Sequence, residues 1–118
     1  MEAFKVEMEE IPSEIYKNRD EILTLLSKKE EYSEKCDEIE TKIRMDISTI
    51  KNVEGKLAYT NDIARNAEAE YRLSKHAEYI KHDKLRHDTT ISIKMAKNKI
   101  EFLQNKLRVF EILARMNE

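Results

Sequence analysis

Residues 13–53 read SEIYKNRDEILTLLSKKEEYSEKCDEIETKIRMDISTIKNV. The apolar positions Ile15, Ile22, Leu25, Tyr32, Cys36, Ile39, Ile43, Ile50 and Val53 recur at steps built from three and four. That is the period of a helix burying one stripe against another helix, so the stretch predicts an a/d seam sustained for more than five heptads. Asn18, Lys29 and Asp46 fall on the seam as polar defects. Buried polar groups there reduce stability but fix register, because a misregistered partner leaves them unpaired. Leu26 and Ile47 widen the stripe, which predicts more than one packing neighbour.

Toward the C-terminus, residues 52–60 break the pattern around Gly55, the only glycine of the chain, and predict a turn. Thr60, Asn61 and Asp62 are N-cap types, and Ile63, Ala64, Ala67 and Tyr71 follow at helical spacing, giving a short helix over 61–73. Ser74 is expected to end it and cap the next. From 75 to 117 a second long helix carries Ile93, Ala96, Ile100, Leu103, Leu107, Phe110 and Ala114 at a/d spacing, flanked by Ile91, Met95, Phe102, Val109 and Leu113. The two long helices would span about 58 Å and about 63 Å at 1.5 Å per residue, a match that suits antiparallel pairing.

Toward the N-terminus, Ala3 to Glu9 alternate apolar and polar, a strand period, before Pro12. Ser13 and Glu14 then make a helix start. Residues 1–12 are therefore expected to form an arm or short strand, and a strand there would need to pair with the segment near Val53 to Tyr59 or with another chain. The fold class expected is all-α: one domain, a long antiparallel helical hairpin or coiled coil with a short connecting helix.

The 118-residue composition agrees, with one Gly, one Pro, no Trp and 39% charged residues. Such a profile signals long helices with solvated outer faces. The longest apolar runs are far short of the roughly 20 residues that cross a bilayer. No membrane contact is expected. One cysteine, Cys36, allows no internal disulfide, and the N-terminal region has no apolar run of the secretory kind, so a cytoplasmic setting is expected. Residues 1–46 hold 14 acidic and 8 basic side chains, whereas residues 47–118 hold 10 and 14. Two antiparallel helices complementing each other is the plain explanation; a basic face for nucleic acid is the sharper one.

Motifs of catalysis are not found. A single glycine cannot build a phosphate loop, and no Ser, Thr or Cys nucleophile lies in a strand-turn-helix context. His82 and His87 repeat a His-Asp pair, but five residues at 100° each set them about 140° apart on a helix, which prevents joint chelation. No cofactor or metal is expected. Cys36 on the seam reads as a small buried thiol.

Three surfaces remain as candidates for contact. Glu7, Glu9, Glu10, Glu14, Glu30, Glu31 and Glu34, with Asp20, Glu21, Asp37 and Glu38, form an acidic face suited to a basic protein partner. Ile93, Ile100, Phe102, Leu103, Leu107, Val109, Phe110 and Leu113 are more apolar surface than one hairpin buries, which predicts an oligomer interface, a homodimer first. Arg65, Arg72, Lys81, Lys84 and Arg86 could track a phosphate backbone, but acidic residues interleave them and a salt-bridged helix face is the plainer reading.

Residues 55–79, GKLAYTNDIARNAEAEYRLSKHAEY, carry a resemblance. The turn Gly55-Lys56, the helix start Tyr59-Thr60-Asn61, the core Arg65-Asn66-Ala67 and the opening Glu78-Tyr79 resemble small phage and prophage coiled-coil proteins of low-GC Gram-positive bacteria. The chain departs from that pattern at Lys75 and His76, where an acidic helix start is expected. The resemblance implies a phage early-region setting inside a bacterial host. There, small proteins accompany recombination and replication or block host nucleases and CRISPR-type defence complexes. It implies a non-catalytic interaction module, an inhibitor or accessory of a nucleic-acid machine, with a DNA-binding recombination accessory or a structural assembly protein as alternatives.

Overall fold

The computed structural model describes residues 2–116 and contains three helices: α1 (Glu2–Thr49), α2 (Asp62–Lys75) and α3 (Ala77–Met116). The chain is all-α. Its described residues pack as two units, 2–28 with 89–116 and 29–88.

In the first unit, Ile11 and Ile15 of α1 close on Leu103 of α3, with Ile100, Leu107 and Phe110 packed around them. Glu7 is ion-paired with Lys106, whereas Asn18 and Glu21 border the same recess as Met95, Ala96 and Lys99. As numbering rises on α1 it falls on α3, so the pairing is antiparallel. Asn18 is buried on the seam and donates its amide to the Glu14 carbonyl at 2.8 Å. That bond spares a buried polar group the cost of going unpaired.

The helix from Glu2 corrects the expected arm or strand. Alternation over about six or seven residues does not separate a strand from the start of a helix. Pro12 lies inside α1 and does not end it. Proline removes one helical hydrogen bond, but the neighbouring Ile11 and Ile15 are both buried against Leu103, and this packing holds the helical frame across it.

In the second unit, α1 buries Cys36 and Ile47 almost completely, and α2 contributes Ala69 and Leu73. The Tyr32 and His82 rings meet at 6.2 Å between centroids, and Asp46 of α1 accepts from Arg72 of α2 at 2.7 Å. The seam read from sequence holds through Ile43 and then moves by one position. Ile47 is inside whereas Asp46, Ile50 and Val53 are exposed. Helix α2 is the extra neighbour that draws Ile47 inward, and α1 stops at Thr49, before the predicted end at 51.

The turn folds on itself. Lys51 and Leu57 form an isolated antiparallel bridge, so the segment an N-terminal strand would need is paired within its own loop. Asn52 organises it, its side-chain carbonyl accepting from the amides of Glu54 at 3.0 Å and Lys56 at 3.1 Å. Gly55 takes φ +80°, the left-handed region where a side chain is costly. Asn61 caps α2, accepting from the Ala64 amide at 2.8 Å. Helix α2 passes through Ser74 to Lys75, and the break falls instead at His76. His76 has extended backbone and accepts through Nδ1 from the Tyr79 amide at 3.1 Å, so this histidine starts α3.

Candidate functional site

The acidic candidates lie on α1 and are all exposed: Glu7, Glu9, Glu10 and Glu14 in the first unit, Glu30, Glu31 and Glu34 in the second. Steps of three and four put Glu7, Glu10 and Glu14 on one helix face, and Glu30 and Glu31 each stand one turn from Glu34. Glu7 is drawn to Lys106. Among the described residues no ion pair engages Glu9, Glu10, Glu14, Glu30, Glu31 or Glu34. Their charge therefore faces solvent.

The basic candidates behave differently. Arg72 holds Glu68 at 2.9 Å and Asp46 at 2.7 Å, and those two hydrogen bonds push its guanidinium pKa upward, the Glu68 bond most. Arg65 holds Asp62 at 2.6 Å and the Tyr59 carbonyl at 3.3 Å. Arg86 holds Asp83 at 2.5 Å, the main cause of its raised pKa. Three of the five residues expected to follow a phosphate backbone are thus committed to carboxylates of the same unit. Lys81 and Lys84 are exposed, Lys84 at the rim of a recess with Tyr79, Asp83 and His87.

The apolar candidates divide. Ile93 and Leu103 are buried, and Ile100, Leu107 and Phe110 pack on the Ile11–Ile15–Leu103 cluster. Ile93 and Leu103 are thereby enclosed within their own chain, while Ile100, Leu107 and Phe110 are half-buried against α1. Phe102, Val109 and Leu113 remain exposed. The a/d spacing of α3 marks the stripe that meets α1, and Phe102, Val109 and Leu113 are the flank that the pairing leaves uncovered.

Cys36 is buried, and desolvation pushes its thiol pKa up, with Arg86 opposing the shift. Burial likewise raises the Tyr79 phenol. His82 stands 2.8 Å from the Glu78 carbonyl, while His87 is exposed one and a half turns further on. Among the described residues no cluster of three His, Cys, Asp or Glu side chains could hold a metal ion, and no helix is long and apolar enough to cross a membrane.

The arrangement offers surfaces of charge and apolar area. Comparison with known protein families, characterised proteins and solved structures finds no match to this chain.

Proposed function

We propose that this is a non-catalytic, phage-encoded interaction protein that docks through the carboxylates of α1 on the basic, nucleic-acid-binding surface of another protein and obstructs it. The observation that supports this reading most is an asymmetry of pairing. The arginines Arg65, Arg72 and Arg86 are tied to carboxylates of their own unit, whereas Glu9, Glu10, Glu14, Glu30, Glu31 and Glu34 keep their charge for solvent or a partner. Rows of carboxylates on a stiff helix meet a phosphate-binding surface with the charge sign it is built to receive, which speeds encounter and selects basic partners.

The test is capture from a bacterial lysate with the whole chain as bait, beside a variant in which those six glutamates are changed to Gln. The expected result is recovery of a nucleic-acid-handling protein by the wild type alone, with duplex DNA or heparin releasing it. Direct binding of DNA by the chain at low ionic strength, or equal recovery by the Gln variant, would overturn the reading.

A further inference from the structure

Helix α3 carries a second seam. Within the first unit, Ile91, Met95, Phe102, Val109, Ile112 and Met116 are each between 46% and 76% exposed. With Asn98 and Asn105 added, the positions run 91, 95, 98, 102, 105, 109, 112, 116, an unbroken alternation of four and three. The inner seam that meets α1 starts at Ile93, two residues on, and two residues correspond to about 200° of rotation. The outer seam is therefore on the opposite side of α3, where a second helix can lie along it without meeting α1.

We infer that a second copy of this chain covers the outer seam, the two α3 helices pairing parallel and in register. Alternation of four and three is the spacing by which one helix receives another. The six apolar residues expose roughly 600 Å² per chain, so complete coverage by two copies would bury at most about 1,200 Å², the lower edge of the range for stable interfaces. The asparagines select the occupant and its direction. In a parallel pair Asn98 meets Asn98 and Asn105 meets Asn105, and each amide both donates and accepts. An antiparallel pair using the whole seam would lay Asn98 on Val109 and Asn105 on Phe102 of the second copy, where neither amide has a polar partner. Flanking charges do not select a direction: the parallel pair brings Lys94 beside Lys99, and Glu101 beside Lys106, which already holds Glu7. The inference uses a different helix from the acidic surface and stands apart from it.

Light scattering on the full chain across micromolar concentrations tests it. The expected mass is that of two chains, halved by the double substitution Phe102→Glu and Val109→Glu with the helical circular dichroism retained, and unchanged by Leu23→Glu, which alters an exposed apolar residue of α1 instead. A single-chain mass at every concentration, or a dimer indifferent to the double substitution, overturns the interface. Direction is read from Asn98→Cys in a Cys36→Ala background: oxidation joins two chains in the parallel pair, whereas in the antiparallel pair the sulfurs stand about 16 Å apart along the axis. A chain that weighs as a dimer and fails to cross-link overturns the parallel register.

Discussion

Arg72 on α2 places Nη1 2.7 Å from the Asp46 carboxylate on α1 while its Nε holds Glu68 at 2.9 Å. One guanidinium thereby fastens the short helix to the long one. The side chains are partly exposed, so solvent screening reduces the bond to a modest contribution. Arg72→Met is expected to cost about 1 kcal/mol and to lower the melting temperature by roughly 3–6 °C. Thermal circular dichroism checks this. The deficit should narrow as salt is added, because the lost interaction is electrostatic.

Gly55 has φ +80° with nothing within 4 Å of where a Cβ would stand. The space is open, so only backbone strain opposes a side chain. Gly55→Ala should destabilise by about 1 kcal/mol, and Gly55→Asn by less, since Asn tolerates the left-handed region. Denaturant melts of the two variants distinguish strain from crowding, which would penalise Asn more.

How far the sequence discloses this architecture follows from particular residues. Ile15, Ile22, Leu25, Tyr32, Cys36, Ile39 and Ile43 are buried or half-buried as their spacing predicts, and Asn18 is the buried seam amide expected of it. These positions are legible because a helix repeats its geometry and one stripe needs only one neighbour. Asp46 and Ile47 are not legible in the same way, since which of the two turns inward depends on where α2 lies. His76 is harder still: its role as the break before α3 rests on a side-chain bond to the Tyr79 amide, which propensity does not report. The local arginine pairings are legible too, since Arg65–Asp62, Arg72–Glu68 and Arg86–Asp83 stand three or four residues apart on one helix; the Arg72–Asp46 bond, across 26 residues, depends on where α2 lies.

Asn18 forms its one side-chain bond to a carbonyl of its own helix. Replacing it with Leu removes that bond and adds apolar burial beside Ile15. Asn18→Leu should raise stability by about 1 kcal/mol, measured by urea unfolding. The same variant should also loosen register, seen as broader methyl resonances from Ile11 and Ile15. A loss of stability would mean the amide has a partner that the helix does not supply.

Burial raises the Cys36 thiol pKa, and the sign of the consequence is fixed. The folded chain keeps its proton at pH values where the unfolded chain has lost it. Stability from this group is therefore complete below the ordinary thiol pKa of about 8.5 and declines as pH rises through that value toward the higher folded one. Cys36→Ala should flatten this part of the alkaline decline, although the cavity lowers stability at every pH. A thiol reagent should label native Cys36 far more slowly than the chain in denaturant. Equal rates would show that the seam opens there readily.

Leu103 and Phe102 are neighbours in sequence, about 100° apart on α3, with opposite environments: Leu103 is 5% exposed and packs with Ile11 and Ile15, whereas Phe102 is 63% exposed. The contrast separates the two seams of α3 in a single experiment. Leu103→Ala removes side-chain atoms from the intrachain core and leaves a cavity, so it should cost about 2–5 kcal/mol whatever the protein concentration. Phe102→Ala touches no buried cluster of its own chain. Its cost should be small when the protein is dilute and should grow with concentration, because only the associated form gains from covering that ring. Melting both variants over a concentration series checks the pair, and a Phe102→Ala deficit that is large and independent of concentration would place the ring inside the hairpin instead of on its outer seam.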